Sequence, residues 1–304
     1  MKTIGSALGV TAAVGAGALA WATLIERRWY ALRRVDVPML QRGDAPLSIL
    51  HVSDLHLLPS QSDKLAFVSS LAELRPDFVL NTGDTIADAQ AVGPLLSALE
   101  PLLKLPGAFV AGSNDYFAPT PKNPLRYLLG PSKPPEREKP RRPNLPIAQM
   151  EYGLARYGWL NLRNRAARLD VAGRTLNLAG VDDPHLKLDV YPYGAFAAGR
   201  PDGINIGVAH APYRRILSEM TADGADLIFA GHTHGGQLCV PGYGALVTNC
   251  DIDRRRVKGL SRTDAVSGRS AWLHVSAGLG TSPFAPARFA CRPEVTLLTL
   301  RPVT

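Results

Sequence analysis

The chain has 304 residues, 46% of them hydrophobic, with a formal net charge of +8. That is enough for one large domain with a substantial core, and the charge points to an anionic partner such as a membrane surface, a phosphorylated small molecule or nucleic acid. The three cysteines, Cys239, Cys250 and Cys291, contain no CxxC pair, which argues against a disulfide framework and a thiolate zinc site and fits reduced, buried side chains.

Ile4 to Ile25 runs for 22 residues without a charge, long enough to span a bilayer as a helix. "ERRWYALRR" follows, with Trp29 and Tyr30 suited to the interface and Arg27, Arg28, Arg33 and Arg34 to anionic head groups. The expectation is an N-terminal transmembrane anchor over residues 1–34, single-pass in the cell membrane. The arginines after the apolar run place the rest on the cytoplasmic side, and a cleaved signal peptide is the alternative. The catalytic domain is then residues 35–304, and deleting 1–34 is expected to release it in soluble, active form.

From Leu47 onward, strands and helices alternate. "LSILHVSD", "DFVLNTGD" and "GAFVAGSND" read as strands, with helices between them over 62–74 and over 91–103, the second interrupted by Pro94 and Pro101. This βαβαβ order predicts a mostly parallel sheet covered by helices. Residues 119–146 hold nine prolines and seven Lys/Arg against two Glu, and read as a Pro-rich basic insertion, a loop or lid. A helix over 148–157, strands near 167–171, 176–181 and 204–209, a helix over 212–221, and strands in "ADLIFAGHTH", "SAWLHVSAG" and "EVTLLTL" complete the pattern. The basic span 119–146 and the cluster Arg254, Arg255, Arg256 and Lys258 are not interleaved with aromatics as a single-strand stacking platform would be, so nucleic acid is the least favoured partner.

The strands end in polar residues able to bind metal: Asp54 and His56 in "SDLH", Asp84 in "TGD", Asn114 and Asp115 in "GSND", His210 in "AHAP", and His232 and His234 in "GHTH". Ligands bind outside the carboxyl ends of strands in open α/β sheets. Asp, His and an Asn amide without Cys suit Mn, Fe, Zn or Co. Seven such residues exceed one tetrahedral shell and suit two ions sharing a carboxylate. His51 and His274 fall inside strands and read as structural. Asp182, Asp183 and His185 in "VDDPH" edge the cleft or build a turn. No Ser, Cys or Lys stands in a triad context.

The ordered set "DLH", "GD", "GSND", "H" and "GHTH" resembles the calcineurin-like metallophosphoesterases from Leu47 to about Leu300, and the tail "SAGLGTSPFAPARFACRPEVTLLTL" resembles their membrane-anchored bacterial branch, which includes phosphodiesterases and UDP-2,3-diacylglucosamine pyrophosphatases. The resemblance implies a four-layer α/β/β/α sandwich and two divalent ions. Asp54, His56 and His234 would hold the first ion, Asn114, His210 and His232 the second, and Asp84 would bridge them. It also implies a hydroxide between the ions attacking phosphorus, in a phosphodiester or pyrophosphate of a lipid-linked or nucleotide substrate. Asp115 stands where that reading expects the histidine that protonates the leaving group. It favours good leaving groups, or else caps a loop. Arg288 is a candidate to meet a substrate phosphate. The alternatives are a phosphomonoesterase or protein phosphatase at the same site, a non-catalytic membrane-tethered interaction module, and a nuclease.

Overall fold

A computed structural model describes residues 11, 13–121, 142–197 and 203–303. Two six-stranded sheets form its frame. The first sheet has the order β1 (Ala31–Leu40), β14 (Glu294–Pro302), β2 (Leu47–Val52), β3 (Phe78–Asn81), β4 (Gly107–Phe109) and β5 (Leu160–Asn161). The second has the order β12 (Gly259–Asp264), β13 (Ser270–Val275), β9 (Leu227–Ala230), β8 (Ile204–Val208), β7 (Arg174–Gly180) and β6 (Arg165–Val171). A small hairpin, β10 (Cys239–Val240) with β11 (Gly244–Ala245), lies beside them. Parallel pairing joins β2 to β5 in chain order, and likewise β7, β8, β9 and β13, with antiparallel pairs at β14–β2, β12–β13 and β6–β7.

The layers follow from strands that are apolar on both faces. In β2, Leu47 and Ile49 join Phe78, Leu80, Ile206, Val208, Phe229 and Leu298 in a core between the sheets. Leu50 and Val52, on the opposite face, pack with Val92, Leu95 and Leu99 of the helix Val92–Leu103 and with Met150 and Leu154 of the helix Ile147–Ala155. On the far side, Ile216, Leu217 and Met220 of the helix Arg214–Asp223 cover Ile228, Leu273 and Val275 of the second sheet. The sequence is therefore helix, sheet, sheet, helix.

Two expectations change. The helix over 91–103 is continuous from Val92 to Leu103: Pro94 falls in its first turn, where no N–H bond is due, and only Pro101 lies inside it. The basic segment before residue 35 is partly strand, since Ala31 to Arg34 pair in parallel with Glu294 to Leu297. The expected anchor falls partly outside the described residues, as do residues 122–141 of the Pro-rich insertion. Residues 13–20 are helical and continue through a π turn, Trp21–Ile25. No helix among the described residues is long and apolar enough to cross a membrane.

Candidate metal centre

Every candidate ligand leaves the carboxyl end of a parallel strand. Asp54 and His56 follow β2, Asp84 follows β3 and Asn114 follows β4, all in the first sheet; His210 follows β8, and His232 and His234 follow β9 in the second. Opposed across the sandwich, these ends converge on one spot. Asp54, His56, Asp84 and His234 present ligand atoms within 4.8 Å of one another, and so do Asp84, His210 and His232. Asp84 belongs to both groups, and either group could hold a cation.

The backbone is bent to achieve this. Asp54 (φ 49°), His56 (φ 41°), Asp84 (φ 52°), His232 (φ 69°) and His234 (φ 50°) all sit in the left-handed region. That conformation is unfavourable for side chains with a Cβ and tends to concentrate at functional sites. Hydrogen bonds hold it: Asp54 N to Gly83 O and His56 N to Asp84 O at 2.9 Å, and Gly231 N to His210 O at 2.8 Å. The backbone N–H of His232 donates to both oxygens of Asp54 at 3.1 Å. Small neighbours clear the space. A Cβ on Gly112 would press on the Asp84 carboxylate and come within 2.7 Å of the His210 ring, and one on Gly231 would strike Ser53 and Asp54.

The electrostatics fit a divalent cation. Nε2 of His56 and Nε2 of His234 face each other at 3.1 Å, and His56 Nε2 lies 3.4 Å from Asp84 Oδ2. Burial pushes the imidazolium of His56 down to about 4 and of His232 to about 3, and that of His234 well below its ordinary value. Neutral rings whose nitrogens meet at this distance call for a proton or a cation between them. The remaining nitrogen of His56, Nδ1, is buried without a hydrogen-bond partner. Burial would raise Asp84, but the imidazoles of His210, His56 and His232 outweigh it and hold the carboxyl well below its usual range. Burial likewise disfavours the charged form of His210, yet Asp84, Asp54 and Asp183 hold its pKa well above the ordinary value. Asp84 is thus the anionic focus, and a bound cation would displace the proton from His210.

Outer partners orient the inner residues. His210 Nδ1 meets the carbonyl of Thr82 at 2.8 Å, which directs Nε2 toward Asp84. Ser53 Oγ donates to Asp54 Oδ2, and Thr82 Oγ1 donates to Ser53 Oγ. His51 and His274 extend this network into the inter-sheet core, Nδ1 to Nδ1 at 2.8 Å, with His51 Nε2 on Thr82 Oγ1 at 2.9 Å. Asn114 donates to Asp84 twice, from its backbone N at 2.7 Å and from Nδ2 at 2.8 Å. Rotating its amide would present the oxygen in place of the nitrogen.

Of the two remaining candidates, Asp115 takes the loop-capping place and only Arg288 departs from expectation. Asp115 is fully buried, and its carboxylate accepts the backbone N–H groups of Thr85, Ile86 and Gly112. It caps the turn Ser113–Tyr116 and ties it to the loop after β3, rather than standing ready to protonate a leaving group. Arg288 meets no phosphate cleft. It is 0% exposed, and its guanidinium lies against the carbonyls of Ala277, Gly278 and Gly280. Asp182 accepts from Tyr116 and Arg163, and Asp183 accepts the amides of His185 and Leu186, which is the turn the sequence offered. The ring of His185 lies 4.9 Å from that of His232. Lys64 and Glu26 escaped the sequence reading. Lys64 Nζ, buried, holds the Leu55 carbonyl between the two DLH ligands; only helical spacing toward "SDLH" could have signalled it. All three cysteines are buried and free.

A mixed α/β sandwich with an Asp/His cluster at its strand ends defines a metallohydrolase architecture. The chain matches the calcineurin-like phosphoesterase family over residues 47–236 and belongs to it, which makes it a metal-dependent hydrolase of phosphoric esters. It is similar to the phosphodiesterase YaeI of Escherichia coli, 28% identical over 282 residues, covering 90% of each chain. It is also similar to the UDP-2,3-diacylglucosamine pyrophosphatase LpxG of Chlamydia muridarum, 26% identical and covering 97% of each. A transmembrane protein with a metallophosphoesterase domain from Danio rerio is 28% identical, over 88% of this chain and 56% of its own length.

Proposed function

We infer that the chain hydrolyses a phosphodiester or pyrophosphate bond at a centre of two divalent ions, in a lipid-linked or nucleotide substrate. The observation that carries this reading is the sharing of Asp84 between two convergent ligand groups. Asp54, His56 and His234 would hold one ion and His210, His232 and Asn114 the other, with Asp84 between. Mn, Fe, Zn or Co suits these donors. Bound there, the ions would activate water and polarise the phosphoryl oxygens.

The chain's own residues do the rest. Of the proposed ligands, Asn114 is part-exposed and His232 is 9% exposed, while Asp54 and His210 are fully enclosed. A substrate phosphate would thus enter over Asn114 and His232 and beside His185. Asp115, which stands where the acid is expected, faces backbone amides instead. This supports substrates whose leaving group is already stable as an anion, such as a phosphate or an acidic alcohol. The relative from Chlamydia muridarum is named as a pyrophosphatase, whose leaving group is a phosphate, and that from Escherichia coli as a phosphodiesterase.

The N-terminal segment supports a membrane site of action. Val14, Leu19, Leu24, Ile25 and Trp29 are exposed, and Arg27 and Arg28 follow the apolar run. Apolar residues ending in arginines suit a bilayer with anionic lipids, with the hydrolase on the cytoplasmic face. The relative from Danio rerio, named as transmembrane, is consistent with this.

The test is Asp84→Asn. Removing the shared charge should cut metal-dependent hydrolysis of bis-(p-nitrophenyl) phosphate by more than the roughly 10–100-fold that loss of an outer-shell partner costs, with the far-UV circular dichroism unchanged. Activity within a few-fold of wild type would sink the shared-ligand reading.

A further inference from the structure

Glu26 is 4% exposed and has no cationic partner among the described residues. Its carboxylate accepts three N–H groups: Cys291 N on Oε1 at 2.7 Å, and Ala290 N at 3.1 Å and Trp21 Nε1 at 2.8 Å on Oε2. The backbone N of Arg288 donates to Ala22 O at 3.0 Å, and Arg292 donates to Trp29 O and Tyr30 O. The segment 21–30 is thus clasped to the loop 288–292.

That loop carries Arg288, a fully buried guanidinium with no carboxylate partner among the described residues. Burying an unpaired cation is costly unless the surrounding dipoles satisfy it. Here Nη2 lies 2.7 Å from Ala277 O, 3.0 Å from Gly278 O, 2.6 Å from Gly280 O and 3.3 Å from His234 Nδ1 itself, and Nη1 lies 3.4 Å from His234 O, while Nε is buried without a partner. The Gly280 carbonyl is also the partner of His234 Nδ1, at 3.2 Å. A ligand histidine is aimed by the group its other nitrogen meets. His234 Nε2, the atom turned toward His56 and Asp54, is therefore aimed by Gly280, which Arg288 holds, on a loop that Glu26 holds.

We propose that Glu26 and Arg288 are positioning residues for His234, so that the N-terminal segment is a working part of the metal centre and not only a tether. The inference rests on the two-ion reading above. It predicts an asymmetry, because the group Asp84, His210 and His232 lies outside this relay.

The test is cobalt binding to the full chain, followed by visible absorption and titration calorimetry, for wild type, Glu26→Ala, Glu26→Gln and His234→Ala. Wild type should bind two equivalents. Glu26→Ala should weaken one of them by roughly 10–100-fold, the scale set by outer-shell partners, and leave the other in place. His234→Ala should weaken the same equivalent. Glu26→Gln keeps an oxygen for the Cys291 amide and should fall between; it also provides the reading if Glu26→Ala does not fold. Two unchanged equivalents in both Glu26 variants would overturn the relay while leaving the two-ion reading intact, and so would equal weakening of both. A folded wild type that binds no cobalt would overturn the two-ion reading and the relay with it.

Discussion

At Asp115 the chain spends a carboxylate on three buried backbone N–H groups. Burial, with the nearby Asp84 charge, pushes its pKa up to about 7, a value that by itself would suit an acid catalyst. Geometry decides otherwise, because the carboxylate is taken up by the backbone N–H groups of Thr85, Ile86 and Gly112. Asp115→Asn turns one acceptor into a donor facing Gly112 N, which should cost about 1–3 kcal/mol. Turnover per folded molecule should stay within a few-fold, as checked by urea denaturation beside diester hydrolysis. An unchanged unfolding midpoint with a hundredfold loss of turnover would restore the acid role. His51 and His274 are a second case. Burial drives the His274 imidazolium down to about 3, so between pH 6.5 and 3 the unfolded chain binds a proton that the folded chain refuses. Stability from this group is fully present above pH 6.5 and is lost as pH falls through that window. Wild type should therefore lose stability on acidification faster than His274→Leu, by up to about 1.4 kcal/mol per pH unit, in denaturant melts at pH 7 and pH 5 without metal. The ligand types at Asp54, His56, Asp84, His210, His232 and His234 were legible in the sequence, since polar residues at strand ends have no packing reason to be there. The loop-capping place of Asp115 was one of two readings the sequence left open, and that of Arg288 was not legible, because a side chain's direction depends on a loop path that no local pattern encodes.

At the scale of elements, the site is made by turns rather than by strands. β2, β3 and β9 were visible as apolar runs, and the structure places each within two or three residues of its expected position. The left-handed backbone at the ligands was hidden, since φ > 0 is normally signalled by Gly or Asn and here falls on Asp and His. What makes room is glycine at the neighbouring positions. Gly112→Ala would push a methyl against the Asp84 carboxylate and the His210 ring. It should reduce metal-dependent turnover at least tenfold and, because the Cβ also meets the backbone N of Asp84 at 2.7 Å, lower the melting temperature. Retained turnover would show that the turn can relax and that the close approach is dispensable. β1 escaped the sequence reading: "RRVDVPML" carries alternate charges and a proline, and it forms an edge strand, where both are tolerated.

At the scale of the whole molecule, the expected boundary at 34/35 cuts through a strand. A chain beginning at Val35 would lose Ala31 to Arg34 from the ladder with β14 and lose the Glu26 clasp entirely. It should therefore melt lower and turn over more slowly than the full chain, and an equally stable, equally active fragment would contradict this. Each sheet contributes ligands at one end, so the centre exists only when the two sheets are packed against each other through Ile49, Phe78, Val208 and Phe229. The fold's core and its chemistry are thus one cooperative unit. The central claim is that this centre cleaves phosphodiester or pyrophosphate bonds with good leaving groups. It is tested most directly by comparing hydrolysis of bis-(p-nitrophenyl) phosphate and of the p-nitrophenyl monoester by the manganese-loaded full chain, with EDTA as the control. EDTA-sensitive cleavage with a higher kcat/KM for the diester is the expected result. Preferential cleavage of the monoester, or no turnover of either by folded, metal-loaded protein, would contradict it.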